Sequence, residues 1–302
     1  MKILINFALV SFLFFSFSAH SRLSIAKAIS AQVPTVGDFS KEDRKRPVYL
    51  IAHRINDINE INYAIRSGAN AIECDLIFGR KSIFSKKSWF VDHDGVFAWS
   101  TKFNEFLSEI AKVAMKNEEN FALVIFDIKT PNGNLRGLYE KVKSILPPSL
   151  NIIFSIANYK DRKYFNKINK NLNVNHGLSI DQSNYPEKTA KYFEDTKINN
   201  SWFGNGICAG CIETKKIKRS ISKAVQMRDR KQSSIKKVYV WSLAKYSSIE
   251  YYLLEKNVDG VMVNLSGNTQ THGDGLSDAI DIVQYSNKIR MAKSSDNPFE
   301  VF

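Results

Sequence analysis

The sequence predicts an α/β protein, a (β/α)8 TIM barrel in a single domain, and three observations carry that prediction. Apolar runs of strand length alternate with helix-period stretches from residue 46 onward, eight such runs can be counted, and polar residues collect at their C-terminal ends. Regular alternation of this kind demands parallel strands joined by crossover helices, and eight repeats point to a closed barrel. With 302 residues, 44% hydrophobic and 24% charged side chains, the chain can bury one large core and is excluded from the collagen-like, disordered and disulfide-framework classes.

The elements follow in order. Lys2, the apolar run Ile3 to Phe17 and the small residues Ala19 and Ser21 predict a secretory signal peptide over residues 1–21, because the run is shorter than the roughly 20 residues of a membrane span. Residues 22–45 read as an N-terminal segment and 46–302 as the barrel. Strands are expected at Val48–His53, Ala71–Leu76, Ala122–Lys129, Ile152–Ala157, Gly177–Asp181, Ser201–Ile207, Val238–Leu243 and Gly260–Asn264. Helices are expected at Asn59–Arg66, Phe103–Met115, Leu135–Ile145, Asp161–Lys170, Pro186–Asp195, Ile212–Arg230, Ser247–Glu255 and Asp278–Ile289.

Charge and cysteine content narrow the partners. Forty-three Lys and Arg against 30 Asp and Glu leave +13, a bias towards anionic partners such as phospholipid surfaces. Nucleic acid is not expected, since no binding motif accompanies the charge. Residues Lys215 to Lys237 hold ten basic side chains and one acid, Asp229, with an apolar stripe of Ile217, Ile221, Ala224 and Val225. The charges should therefore occupy a solvated face, which either serves solvation alone or docks on an anionic membrane. Cys208 and Cys211 form a CxxC without a second pair, too few ligands for structural zinc; in an exported protein a local Cys208–Cys211 disulfide is the default. Cys74 should be a buried free thiol, and His176 and His272 structural.

Chemistry in such a barrel sits where the strands end. The first strand runs into His53, the second carries Glu73 and Asp75, and the third carries Asp127 and Lys129. A spacing of two puts each pair on one side of its strand, into the mouth, and turns Cys74 and Ile128 towards the helices. A second histidine, His93, precedes the helix that leads to the third strand. One histidine at a strand end is ordinarily structural, and an Asp-x-Lys pair is usually a surface ion pair. Three carboxylates and a lysine on inward positions of neighbouring strands cannot all be buried and ionised without compensation. An oxygen-only ligand set suits Mg2+ or Ca2+, which leaves both histidines free for proton transfer.

Six motifs, His53-Arg54-Ile55-Asn56, Gly68-Ala69-Asn70-Ala71-Ile72-Glu73-Cys74-Asp75, Val91-Asp92-His93-Asp94-Gly95, Phe126-Asp127-Ile128-Lys129, Val240-Trp241-Ser242 and Val258-Asp259-Gly260-Val261-Met262, together resemble the sphingomyelinase D / phospholipase D toxin family, which is related to glycerophosphodiester phosphodiesterases. Ser295-Asp296-Asn297-Pro298-Phe299 resembles the tail with which that family plugs the base of its barrel. The resemblance implies Glu73, Asp75 and Asp127 as Mg2+ ligands, His53 and His93 as the acid–base pair, Lys129 as the phosphate neutraliser, and Trp241 and Asn264 as pocket walls. It implies a secreted enzyme that removes choline or ethanolamine from sphingolipids and lysophospholipids at membrane surfaces by transfer to a cyclic phosphate; a monomer is expected, since nothing in the sequence suggests otherwise. Two departures stand out. Asp94-Gly95-Val96-Phe97-Ala98 has no cysteine and is similar to the bacterial and fungal branch, and Ala244 stands where the family often has an acid. The rival readings are a glycerophosphodiester phosphodiesterase and a non-catalytic lipid-binding barrel.

Overall fold

A computed structural model describes residues 44–97, 100–206, 213–231, 233–268 and 273–302. The expected signal peptide, Cys208, Cys211 and His272 lie outside the described residues, and the compact unit described below is Lys45–Phe302.

All eight expected strands are present: β1 (Arg46–Ala52), β2 (Ala71–Gly79), β5 (Leu123–Ile128), β6 (Asn151–Ile156), β7 (His176–Ile180), β8 (Ser201–Gly206), β9 (Lys237–Leu243) and β10 (Gly260–Val263). They are parallel neighbours in chain order, and pairing of β1 with both β2 (Ile51 beside Ala71) and β10 (Tyr49 beside Gly260) closes the ring. Strands covered on both faces become near-continuous apolar runs, and β5, Leu-Val-Ile-Phe-Asp-Ile, is buried throughout. Alternate residues then serve two cores. Val48, Leu50, Cys74, Phe126 and Ile128 pack against the helix layer, whereas Tyr49, Ile51, Ile125, Trp202, Tyr239 and Met262 fill the barrel.

The helices are α1 (Ile58–Arg66), α2 (Phe103–Lys116), α3 (Leu135–Ile145), α4 (Pro186–Asp195), α5 (Lys215–Asp229), α6 (Tyr246–Glu250) and α7 (Gly275–Tyr285). Asp57 starts α1 with a capping box to Glu60, and Asp274 caps α7 by accepting from Ser277 N–H. None of the helices among the described residues is long and apolar enough to cross a membrane.

Four expectations need correction. Residues 159–167 form a 3-10 helix in place of an α-helix, because the segment buries only Phe165 and has no apolar stripe to hold longer turns. The last helix stops at Tyr285, and Ile289–Met291 forms a strand, β11, on β1. The reason is the register: β10 pairs with Tyr49 to Ala52, which leaves Arg46 to Val48 with an open edge. A ribbon of two short strands, β3 (Ser88–Val91) and β4 (Thr101–Lys102), extends antiparallel from the end of β2. Lastly, two charges of the basic segment are not solvated. Arg228 and Lys237 are buried around Asp259, whose carboxylate accepts from Arg228 and lies 3.5 Å from Lys237 Nζ.

The barrel floor is sealed by the tail. Trp202 Nε1 donates to Pro298 O (2.8 Å), Arg290 clasps Asp296 through two 2.6 Å bonds, and Phe299 joins the interior core. Gly177 is required there, since a Cβ would stand 2.4 Å from the Phe299 ring.

His176 opens β7 buried edge-on between Tyr139 and Phe154, with ring centroids 5.5 and 6.2 Å away. Burial, helped by Lys143, pushes its pKa down to about 4. The native state thus holds the ring neutral while the unfolded chain takes up a proton below about pH 6.5, so stability present above that pH is lost as pH falls towards 4. Urea unfolding of the wild type and His176→Leu should show the variant recovering up to about 3 kcal/mol of the acid-induced loss; parallel losses in both proteins would refute the assignment.

Candidate active site

The mouth of the barrel is organised by the register of β2 and β5, which sets Asp75 directly beside Asp127. Glu73 lies two residues earlier on the same face of β2. Oxygen atoms of Glu73, Asp75 and Asp127 lie within 4.8 Å of one another, the first two in buried side chains and Asp127 in a partly buried one. Lys129 is placed against them because its N–H continues the β2–β5 ladder to Leu76 O (2.9 Å). Its Nζ lies 2.8 Å from Asp75 Oδ1 and 2.5 Å from Asp127 Oδ2, while a quarter of the side chain stays open to solvent.

The turn after β1 holds the other side of the acidic cluster. Arg54 adopts the left-handed conformation (φ 56°), and its N–H donates to Glu73 Oε2 at 2.8 Å. Asn56 is buried and exchanges two bonds with Asp75: Nδ2 donates to Oδ2 (2.8 Å), and Asp75 N–H donates to Asn56 Oδ1 (2.9 Å). The electrostatics follow from crowding. Burial, then repulsion from Asp75 and Asp127, holds Glu73 well above the usual carboxylate range, and burial pushes Asp127 up to about 7. Burial acts on Asp75 in the same sense, but Lys129 and Asn56 outweigh it and leave this carboxyl below its ordinary value. Burial would lower the Lys129 ammonium, yet Asp127, Asp75 and Glu73 together raise it.

Arg54 Nε adds a second cation 3.8 Å from Asp75 Oδ2, and two cations still do not balance three acids. Asp127 Oδ1 is moreover buried with no hydrogen-bond partner, which leaves a carboxylate oxygen of the cluster unsatisfied. An oxygen-only donor set with a charge deficit and an orphaned oxygen fits a hard divalent cation, and Glu73, Asp75 and Asp127 could hold one.

His53 is carried to the rim by continuation of the β1–β10 ladder, its N–H bonding Val263 O (3.0 Å). Its Nδ1 lies 3.2 Å from Asn264 Oδ1 and 3.3 Å from Ser242 Oγ, and burial pushes its pKa down to about 4. His93 follows β3, more exposed, with Nδ1 2.5 Å from Asp94 Oδ1; this bond holds the Asp94 carboxyl below its ordinary value. A cavity of about 670 Å³ joins both histidines, the three acids and Lys129 to Trp241 and Asn264. Every sequence-predicted residue of the mouth thus meets at one cavity, whereas the Cys208–Cys211 pair lies outside the described residues.

The sequence reading missed the supports. Asn56 and Arg54 fall inside a quoted motif but carry no chemical signature of their own. Asp181, on the opposite wall, is buried and accepts from Ser179 (2.8 Å) and Tyr239, and its pKa is raised by burial. Its backbone carbonyl accepts from Trp241 Nε1 (3.1 Å), which fixes the indole at the cavity edge.

The family model described as dermonecrotic toxin SPH matches residues 43–299. The chain belongs to this family. A dermonecrotic toxin of Loxosceles gaucho is 26% identical over 297 residues, covering 86% of this chain and 99% of the toxin. One of Loxosceles deserta is 27% identical over 284 residues, covering 84% and 99%. The barrel is shared with a phosphodiesterase of Oleispira antarctica solved with its product sn-glycerol-3-phosphate; the TM-score is 0.52 at 14% identity, over 80% of this chain and all of that one, a likeness of fold. Dermonecrotic toxin SPH membership agrees with the enzyme class expected from the motifs, a phosphodiesterase of the sphingomyelinase D and phospholipase D type.

Two substitutions test the ligand set by titration calorimetry. Asp127→Asn should abolish measurable divalent-cation binding. Asn56→Ala, which frees Asp75 from its orienting amide, should weaken it by about 10- to 100-fold. Unchanged affinity in Asp127→Asn would remove that residue from the set.

Proposed function

We propose that the chain is a secreted, Mg2+-dependent phospholipase D that removes choline or ethanolamine from sphingolipids and lysophospholipids and forms a cyclic phosphate. The observation that carries the reading is the convergence of an undercompensated acidic triad, Lys129 and two differently held histidines on one cavity. Secretion is supported by the signal-like residues 1–21 and by the toxin relatives.

Glu73, Asp75 and Asp127 would hold Mg2+, whose charge lowers the cost of negative charge on the phosphoryl oxygens. Lys129 Nζ, pinned by two carboxylates but partly open to the cavity, binds a phosphate oxygen with its remaining donor. His53 is the base. Asn264 Oδ1 accepts from Nδ1–H, so Nε2 keeps its lone pair, and the low pKa keeps the ring neutral and ready to take a proton from the substrate hydroxyl. His93 is the acid. With the Asp94 carboxylate accepting from Nδ1–H, the doubly protonated ring would present its Nε2–H to the departing headgroup oxygen. The bond from phosphorus to the substrate's own hydroxyl oxygen forms as the bond to the headgroup oxygen breaks. The Trp241 ring offers its face to a quaternary ammonium, a contact worth about 0.5 to 2 kcal/mol.

An internal hydroxyl outcompetes water because positioned nucleophiles reach effective molarities of about 10⁵ M or more. Diacyl lipids, which lack that hydroxyl, should react poorly. Phosphorus NMR of early time points on sphingomyelin or a lysophospholipid should show the cyclic phosphate as the main product; an open monoester with no cyclic resonance would overturn the transfer step. Choline release should be faster from sphingomyelin than from glycerophosphocholine and should stop with EDTA. The opposite preference would favour a glycerophosphodiester phosphodiesterase. His53→Ala and His93→Ala should each lower turnover about a hundredfold or more with unfolding curves unchanged.

A further inference from the structure

The ribbon that leaves the barrel beside the active site ends in a feature the chemistry does not use. β2 runs four residues past Asp75 to Gly79, about 13 Å beyond the acidic cluster at the usual rise per residue. β3 returns from the tip to His93. The tip, Arg80-Lys81-Ser82-Ile83-Phe84-Ser85-Lys86-Lys87, carries four basic residues, and no acid occurs from Gly79 to Val91. Its two large apolar side chains are almost fully in solvent: Ile83 is 80% and Phe84 92% exposed.

That exposure is built in. Ser85 Oγ donates to Ser82 O (2.9 Å), Ser82 N–H donates to Ser85 Oγ (3.0 Å) and Ser85 N–H donates to Ser82 O (3.1 Å). The turn is locked at its two serines, which holds Ile83 and Phe84 at the apex. Apices of tight turns ordinarily carry Gly, Asn, Asp or Pro, so nothing in the local geometry asks for Ile and Phe. Side chains of this kind on a pre-ordered apex, flanked by cations on both arms, match an interface that is apolar below and anionic at its surface. The same face of the barrel repeats the pattern at the start of α4 and α5, where half-exposed Tyr185 has Lys188 Nζ 4.7 Å and Lys216 Nζ 5.3 Å from its ring centre.

We infer that the ribbon tip is a membrane anchor: Ile83 and Phe84 enter the acyl boundary of an anionic bilayer while Arg80, Lys81, Lys86 and Lys87 seat on its phosphates. The occupant is a lipid surface and not a protein, because apolar tip and cationic collar occur together with no acid in residues 79–91, and with Glu105 the one acid beside Lys81, Lys86, Lys87 and Lys102 in the adjoining groove, the complement of an anionic headgroup layer. This deepens the lipid-phosphodiesterase reading and rests on it for its purpose.

The test separates the two. With EDTA present to prevent turnover, the full chain is sedimented with vesicles of phosphatidylcholine containing phosphatidylserine, and with vesicles of phosphatidylcholine alone. Ile83→Ser/Phe84→Ser should lower partitioning onto the anionic vesicles about tenfold or more. Lys86→Glu/Lys87→Glu should lower it by a similar factor there and change little on neutral vesicles. Headgroup release from a short-chain, monomeric lysolipid should stay within about twofold of wild type in both variants, while release from vesicles falls in step with binding. Equal partitioning of wild type and Ile83→Ser/Phe84→Ser would sink the anchor, as would a change in self-association on sedimentation velocity without a change in partitioning. Absence of headgroup release by the wild type from either form of lipid would remove the enzymatic reading and leave the vesicle result to decide the anchor by itself.

Discussion

Three carboxylates crowded into one end of a barrel, with one lysine between them and one arginine at their edge, are the constraint to which the rest of the molecule answers. Parallel pairing of β2 and β5 makes the crowding unavoidable, since it sets Asp75 beside Asp127 and brings Lys129 to both. Burial and mutual repulsion drive two of the acids towards their neutral forms. Only Asp75, with an amide and an ammonium on it, is held in the opposite sense. The surrounding turn then makes sense as reinforcement. Arg54 accepts a left-handed backbone to give Glu73 an N–H, and Asn56 gives up both ends of its amide to Asp75. A cluster so arranged is incomplete by charge, and the unpartnered Asp127 oxygen marks where the deficit lies.

The opposite end of the barrel is treated in the reverse way. There the charges are matched: burial would raise the Asp259 carboxyl, but Arg228, Lys237 and Arg46 outweigh it, and Arg290 takes Asp296 bidentately. The interior is closed there with Phe299 and the Trp202–Pro298 bond.

What the sequence disclosed follows from what each signal depends on. The eight strands and the inward set of Glu73, Asp75, Asp127 and Lys129 were legible because a period of two on an apolar run is a local property. β11 was not, since its existence depends on an edge left open on a strand at the other end of the chain. Arg228 and Lys237 were misplaced because a run of charges says nothing of direction, and the buried acid that turns them inward, Asp259, lies outside the run. Asn56 was quoted without a role, as an amide has no charge to mark it. Trp89, Phe90 and Val91 form a run too short to announce a strand, and with β3 unseen the ribbon tip went unseen too.

That ribbon has a mechanical consequence. One continuous stretch of chain bears the acids on its outgoing arm and His93 just after its return, and the arms are tied where Asp92 N–H bonds Asp75 O at 3.1 Å. Its far end is the exposed apex. From the apex a short, hydrogen-bonded path leads to His93 and to Asp75, whereas His53 hangs from a different strand. One hairpin thus ties the exposed apex to Asp75 and His93 together, while His53 is positioned independently of it by β1 and β10.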